Sequence, residues 1–198
     1  TINFLTNNLG FTTLQKTTDK NGNNDNGLSV ALGSLTNGVS VETMAAAYQP
    51  FGNGGIYNKP YTYTKVLDSN GNVLLENKPT ASRAFSQETS TIMNRLLQYD
   101  VTNGTGAAAK LSETEVGGKT GTTDNGLDRW FVGITPDYVG AVWCGYDKNK
   151  EMYTTNNPSV YVWHSVMDKV QSSIPSKTFP VWGNVVQSNG GWYKPGDN

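Results

Sequence analysis

Histidine and cysteine each occur only once among the 198 residues, and this scarcity excludes several kinds of site. Cys144 has no partner for an internal disulfide, and in a predicted strand it is expected to be a small buried residue. A zinc site of the usual kind needs more ligands than Cys144 and His164 supply. A Ser-His-Asp triad would have to use His164, which lies in an apolar helical stretch and is expected to be a packed or surface residue. We therefore expect no metal and no cofactor.

Charge is scarce as well: charged residues make up 16% of the chain, and the formal net charge is -1. Because the chain has no run of lysine or arginine, neither nucleic acid nor an anionic membrane surface is an expected partner. No apolar stretch is long enough to span a bilayer, and no signal-peptide pattern opens the chain. The length fits one domain with a substantial core. The start at Thr1 rather than Met fits a processed, cut or truncated product.

Three consecutive strands are predicted at residues 116–123, 129–135 and 138–146. Turn-forming residues separate them, so the connections are too short for parallel crossovers and the strands must be antiparallel neighbours. The middle strand carries large apolar side chains on both faces. The sheet should therefore be covered on both faces, most simply by helices.

The first of these strands carries the chemistry. Side chains alternate along a strand, so Thr120 and Thr122 share one face while Lys119 and Gly121 lie on the other. If the strand forms the edge of the sheet, it also presents unpaired N–H groups. Two hydroxyls and a cation suit a carboxylate, and an edge N–H suits a developing oxyanion. The alternative, from these four residues alone, is a polar edge strand that binds nothing.

Outside these strands, local signals predict helices and a hairpin. Ser40, Ser86 and Asn157 are suitable N-caps. The predicted elements are a helix over 41–48 ended by Pro50, a surface hairpin over 61–76, a helix over 87–100, and a last helix from Pro158 to about Ser172. In the last helix, an apolar stripe of Trp163, Val166, Met167 and Val170 suits a position across a sheet face.

The two ends of the chain give weaker signals. An apolar cluster of Phe4, Leu5, Leu9 and Phe11 precedes a polar loop over 17–27, and residues 28–33 fit either a strand or a helical turn. Beyond Pro175 the chain is polar and rich in glycine, and we expect it to lie extended over the surface or to be loosely held. The predicted division is one domain over 1–180 and a polar tail over 181–198.

An ordered set of motifs resembles the class A, or bifunctional, penicillin-binding proteins, specifically the C-terminal part of their transpeptidase domain. The motifs are A-L-G at 31–33, V-S-V-E-T-M-A-A-A-Y at 39–48, N-G-G at 53–55, N-G-T-G at 103–106, G-K-T-G-T-T at 118–123, D-R-W-F-V-G at 128–133, T-P at 135–136 and W-C-G-Y-D at 143–147. The resemblance implies the α+β fold of penicillin-recognising serine transpeptidases and β-lactamases, a five-stranded antiparallel sheet with helices on both faces.

The resemblance also implies an activity and assigns residues to it. A serine attacks the D-Ala–D-Ala end of a peptidoglycan stem peptide and forms an acyl-enzyme. An amine from a neighbouring peptidoglycan strand then releases the serine. β-Lactams acylate the same serine. Lys119 and Thr122 would be catalytic, through positive potential and through the Thr122 N–H in the oxyanion hole. Thr120, Gly121, Thr122 and Thr123 would bind the substrate.

Two of the three boxes that this family uses, S-x-x-K and S-x-N, are absent from the sequence. The nearest match, Ser165 with Lys169, has the wrong spacing and follows the third box. We therefore expect the nucleophile in an N-terminal part of the domain, bound as a separate, nicked chain. The resemblance places the protein on the outer face of the bacterial cytoplasmic membrane, anchored by a segment outside this chain. The alternatives are a D,D-carboxypeptidase or β-lactamase of the same fold, or a non-catalytic module that senses peptidoglycan or β-lactams.

Overall fold

The computed structural model describes residues 1–196, which form four α-helices and nine strands. The helices are α1 (Ile2–Leu9), α2 (Val41–Gly52), α3 (Gln87–Asn103) and α4 (Pro158–Gln171). The strands are β1 (Ile56–Asn58), β2 (Lys65–Leu67), β3 (Val73–Glu76), β4 (Ala81–Arg83), β5 (Gly117–Thr122), β6 (Asp128–Ile134), β7 (Val139–Gly145), β8 (Val186–Ser188) and β9 (Gly191–Tyr193). This mixture confirms the α+β fold class.

A three-stranded antiparallel sheet, in the order β5–β6–β7, organises the molecule. The strands begin and end within one residue of the predicted bounds, and both short connections are present. Within the described residues no further strand pairs with either outer strand, so β5 and β7 are both edges. The sequence left open whether the first strand forms an edge, and the structure shows that it does within the described residues.

Helices cover the two faces of this sheet, as the apolar character of β6 predicts. On one face, Trp163 of α4 packs edge-on against Phe131, with ring centroids 5.3 Å apart. On the other face, Ile134 forms a core with Leu97 of α3 and with Phe179. Burial of these aromatic and aliphatic side chains is the main source of the stability of the sheet.

The predicted helix starts are confirmed, and some of the helix ends are wrong. Ser40, Ser86 and Asn157 each accept a hydrogen bond from a backbone N–H in the first turn of the helix that follows. Helix α2 does not stop before Pro50 but continues to Gly52, because a proline in the last turn removes one backbone bond without breaking the turns before it. Helix α3 runs three residues beyond its predicted end.

The buried stripe of α4 is displaced from the predicted one. Trp163 and Met167 are buried as expected, but Val166 is 53% exposed and Val160 takes the buried position instead. The stripe therefore follows the spacing 160, 163, 167, which keeps one narrow face of the helix toward the sheet.

The N-terminal region contains a helix that the sequence did not predict. Helix α1 ends at Leu9, and the next residue, Gly10, has the left-handed backbone conformation. Leu9 and Phe11 pack in one core cluster with Ala47 of α2. Phe4 is exposed, contrary to its expected place in the cluster. Residues 28–32 form a 3-10 turn, which decides between the two structures that the sequence left open.

The chain beyond Pro175 is held more firmly than expected. Phe179 is buried against Ile134, and Thr91 of α3 exchanges two hydrogen bonds with the main chain of Trp182. Strands β8 and β9 then form a hairpin that the sequence did not predict. Among residues 1–196, no helix combines the length and the apolar character needed to cross a membrane. The division at residue 180 stays a prediction.

Candidate functional site

The candidate site is the open edge of β5. Hydrogen bonds of an antiparallel ladder alternate, so successive residues turn their N–H groups toward the partner strand and away from it. The N–H of Thr123 donates to the carbonyl oxygen of Asp128, which fixes the phase of the ladder. Together with the register, this directs the N–H groups of Thr120 and Thr122 away from β6 and out of the sheet edge.

The side chains of β5 follow the predicted alternation, with one consequence that alternation alone does not show. Thr120 pairs with Phe131 and Thr122 with Arg129, so both threonines lie on the face covered by α4, and Lys119 starts from the opposite face. The lysine side chain nevertheless bends around the edge: its Nζ lies 3.3 Å from Thr120 Oγ1 and 3.4 Å from the Thr120 carbonyl oxygen. The ammonium and the hydroxyl therefore meet at the rim of the strand.

Two residues outside the strand complete this cluster, and neither was among the predicted site residues. Thr105 Oγ1 lies 2.6 Å from Thr120 Oγ1 and 3.5 Å from Lys119 Nζ. Asp100, near the end of α3, has its Oδ1 3.3 Å from the Thr105 hydroxyl and 3.7 Å from Lys119 Nζ. The available signal was the N-G-T-G motif at 103–106, which formed part of the family resemblance.

The two glycines around Thr105 allow α3 to bring Asp100 to the site. A Cβ at Gly104 would lie 2.6 Å from Asp100 Oδ1, and a Cβ at Gly106 would lie 2.7 Å from Oδ2. Any larger residue would displace the carboxylate that faces Lys119. The Asp100 carboxylate also affects a tyrosine of α2. Burial raises the pKa of Tyr48, and the negative charge of Asp100 raises it further.

Thr122 has a different neighbour, which the sequence analysis also missed as a site residue. Arg129 of β6 donates from Nη1 to Thr122 Oγ1 across 3.3 Å. Thr120 and Thr122 are thus supported by separate groups, one on the loop after α3 and the other on the adjacent strand.

Thr123 and Gly121 occupy supporting positions in the structure. The Thr123 hydroxyl donates to Asp128 Oδ2 and accepts from the Asp128 N–H, which closes the turn after β5. Asp128 Oδ1 accepts from the indole of Trp143 at 2.8 Å, so one carboxylate of β6 links the turn after β5 to β7. A Cβ at Gly121 would lie 3.1 Å from Cβ of Trp130, which is tighter than most packed contacts.

Taken together, the edge offers two hydroxyls, two outward N–H groups and two cations, which is an arrangement for binding an anion beside a polarised carbonyl. Within residues 1–196 no group of three or more histidine, cysteine, aspartate or glutamate side chains could hold a metal ion. Cys144 is half-buried in β7, and His164 lies on α4 with its Nδ1 buried and without a hydrogen-bond partner in that part of the chain.

Comparison with known proteins agrees with this geometry. Residues 6–162 match the family described as the penicillin-binding protein transpeptidase domain. The chain is 37% identical over 177 residues to penicillin-binding protein 1A of Clostridium acetobutylicum, which covers 88% of this chain and 22% of that protein. It is 38% identical over 143 residues to penicillin-binding protein 1F of Bacillus subtilis, covering 69% of this chain and 20% of that protein. The chain therefore spans about a fifth of the length of these curated relatives.

Solved structures give the same assignment for the fold. The D,D-transpeptidase domain of a peptidoglycan glycosyltransferase from Eggerthella lenta superposes with a TM-score of 0.60 at 27% identity, covering 79% of this chain and 35% of that one. The penicillin-binding protein PonA1 from Mycobacterium tuberculosis superposes with a TM-score of 0.74 at 24% identity, covering 98% of this chain and 54% of that one. At that identity the second likeness supports the fold alone.

Proposed function

The chain belongs to the penicillin-binding protein transpeptidase domain family, and from this premise we propose that it forms the C-terminal part of a serine D,D-transpeptidase that cross-links peptidoglycan stem peptides. The observation that carries the proposal is the open β5 edge, where the Thr120 and Thr122 hydroxyls and the Lys119 ammonium lie beside unpaired N–H groups.

Each group at this edge has a distinct task in the proposed reaction. The hydroxyls of Thr120 and Thr122 hold the terminal carboxylate of the stem peptide, or the carboxylate of a β-lactam. The outward N–H of Thr122 donates to the carbonyl oxygen as negative charge develops on it. Loss of one such donor costs about 2.7–4 kcal/mol of transition-state stabilisation. Lys119 adds positive potential at the rim, while Gly121 leaves the strand narrow where the substrate lies alongside, and Thr123 holds the turn.

The covalent steps need a serine that this sequence does not offer in an S-x-x-K motif. Its hydroxyl adds to the carbonyl carbon and gives up its proton to an adjacent base. The C–N bond of the substrate then breaks, and the departing nitrogen takes up a proton. An amine from a neighbouring stem peptide releases the acyl group and restores the serine hydroxyl. The same first step opens a β-lactam ring, whose nitrogen stays attached to the acyl group.

The serine and the S-x-N box come from another part of the full-length protein in this proposal, and that part pairs with the free edge of β7. The relatives are about five times longer than the matched region, so one continuous polypeptide accounts for both parts. A separate, nicked chain has no support in the comparisons, and the intact mass of the purified protein tests it. The proposed location is the outer face of the cytoplasmic membrane, where peptidoglycan is assembled.

Labelling with fluorescent penicillin tests the proposal. Full-length protein should give one covalent band on a denaturing gel, which unlabelled penicillin prevents and prior heat denaturation abolishes. Absence of the band from folded protein overturns the proposal. Protein that reacts with the fluorescent penicillin is then incubated, without label, with a stem-peptide donor and an amine acceptor. Cross-linked product indicates a transpeptidase, and hydrolysis alone indicates a carboxypeptidase. Covalent labelling without turnover of the peptide indicates a sensing module.

A further inference from the structure

Arg129 is a half-buried arginine of the central strand, and its charge has no counter-ion in the described part of the chain. No aspartate or glutamate oxygen of residues 1–196 lies within 4.0 Å of its guanidinium. The adjacent carboxylate, Asp128, is already engaged by Trp143 and Thr123. Partly burying the charge of Arg129 without a carboxylate partner costs free energy that such a partner normally offsets.

The position of this guanidinium is tightly constrained. Arg129 lies in the central strand, and its carbonyl oxygen accepts a 2.7 Å bond from Ser159 Oγ of α4. Its Nε is buried and has no acceptor in the described residues. Its Nη2 rests over Gly126, whose φ of +64° and missing side chain leave space for it; a Cβ there would lie 2.9 Å from Nη2. The side chain is thereby directed along the sheet toward Thr122.

The contact with Thr122 determines where the threonine proton can go. A hydroxyl has one proton and accepts through its oxygen lone pairs. Because Arg129 Nη1 already donates to Thr122 Oγ1, the proton of Thr122 is left to donate to an acceptor outside the strand. A donor that itself accepts from a cation is also a stronger donor, since hydrogen bonds in a chain polarise one another.

The two cations of the site are not equivalent. The charge of Lys119 is partly compensated by Asp100 Oδ1 at 3.7 Å, whereas that of Arg129 is not compensated within residues 1–196. We propose that Arg129 is a positioning residue of the carboxylate subsite: it orients the Thr122 hydroxyl and supplies the net positive charge by which the site selects a ligand with a free carboxylate. This inference rests on the proposed function and adds to it a determinant of ligand charge.

A comparison of two ligands that differ only in this charge tests the inference. The second-order rate constant for acylation of full-length protein is measured with a β-lactam carrying a free carboxylate and with its methyl ester. Charge-assisted hydrogen bonds contribute enough that Arg129→Gln should lower the preference for the free carboxylate by about 10- to 100-fold. The rate constant with the ester should stay within threefold of the parent value. Arg129→Lys, which keeps the charge, should retain most of the preference.

Lys150→Gln provides the matched control, because it removes one positive charge from an exposed residue beyond β7. It should leave the preference unchanged. An unchanged preference in Arg129→Gln overturns the inference, and so does an equal loss with both ligands, which would show a structural role only. If folded parent protein is acylated by neither ligand, the proposed function fails and the inference fails with it.

Discussion

The β5 and β7 strands form the two edges of one sheet and differ in their chemistry. The β5 edge presents a lysine and two threonine hydroxyls, and its polar groups reach around the rim of the strand. The β7 strand reads V-G-A-V-W-C-G and contains neither a charged residue nor a proline. Natural edge strands that face solvent usually carry such residues, because they discourage pairing with another chain. This difference supports the proposal that β5 stays open for a ligand while β7 pairs with another part of the full-length protein.

A proline in each edge tests this difference most strongly. By the alternation of the ladder, Ala141 of β7 and Thr120 of β5 both turn their N–H groups away from β6. Proline is tolerated on a strand whose N–H faces solvent and not where a neighbouring strand accepts from it. Ala141→Pro should therefore prevent recovery of folded full-length protein, or lower its Tm strongly, whereas Thr120→Pro should fold with a Tm near that of the parent. Equal Tm values for the two variants would remove the distinction between the edges.

Removal of the lysine should give the next largest effect, and only on function. Lys119→Ala in full-length protein should lower the rate of β-lactam acylation about 100-fold or more, because the ammonium lies beside the place where negative charge develops in the proposed reaction. The side chain is exposed, so the far-UV circular dichroism and the Tm should change little. An acylation rate within tenfold of the parent rate would contradict the role of Lys119.

Two threonines of the site, Thr122 on β5 and Thr105 on the loop after α3, allow a finer test. Thr122→Val keeps the shape of the side chain and removes the hydroxyl, and we expect about a 10- to 100-fold loss of acylation rate, since one hydrogen bond to a charged group contributes about 1.5–3 kcal/mol. Thr105 would affect the ligand only through Thr120 and Lys119. Thr105→Val should therefore lower the acylation rate less, by about threefold to fivefold. Thr105→Ser should restore the parent rate. A Thr105→Val effect as large as that of Thr122→Val would place Thr105 in direct contact with the ligand.

The smallest effect concerns a residue remote from both edges and serves as a control. Burial tends to raise the pKa of Asp25, but hydrogen bonds from Thr36 and from the Gln15 N–H outweigh it, so the pKa lies below its usual value. At pH values above the pKa that Asp25 has in the unfolded chain, the ionised carboxylate therefore stabilises the fold. This contribution is lost as the pH falls through the lower pKa that Asp25 has in the folded protein. Asp25→Asn should cost about 1 kcal/mol at neutral pH and flatten the acid limb of the stability curve, with no change in acylation. Unfolding by urea at several pH values measures both.

The central sheet was predictable because local and periodic signals agree there. Turn residues, alternation and apolar character all indicated the three strands, and three side-chain caps marked the starts of helices α2, α3 and α4. Helix α1 and the β8–β9 hairpin were missed because their short sequences gain stability from packing on other parts of the chain rather than from their own propensities. The continuation of α2 through Pro50 likewise depends on its surroundings, since Ser90 donates to the Pro50 carbonyl oxygen.

The site was predictable only in part. Lys119, Thr120, Gly121 and Thr122 lie on one edge strand, while their roles at the site stay a prediction. The motif could not show that Lys119 bends around the rim, since a side-chain path depends on neighbours that alternation does not describe. Thr105 and Arg129 lie 15 positions before Thr120 and seven positions after Thr122, respectively, and only the fold brings them into contact with the threonines.

The carboxylate of Asp128 has a consequence for how inhibitor sensitivity can change. It joins Thr123, in the turn after β5, to Trp143 in β7 at the opposite edge of the sheet. Loss of the indole hydrogen bond would therefore loosen the carboxylate that holds the turn directly after Thr122. We expect that a substitution such as Trp143→Phe, which removes the indole N–H, lowers the rate of β-lactam acylation of full-length protein, although Trp143 lies in β7 rather than at the β5 edge.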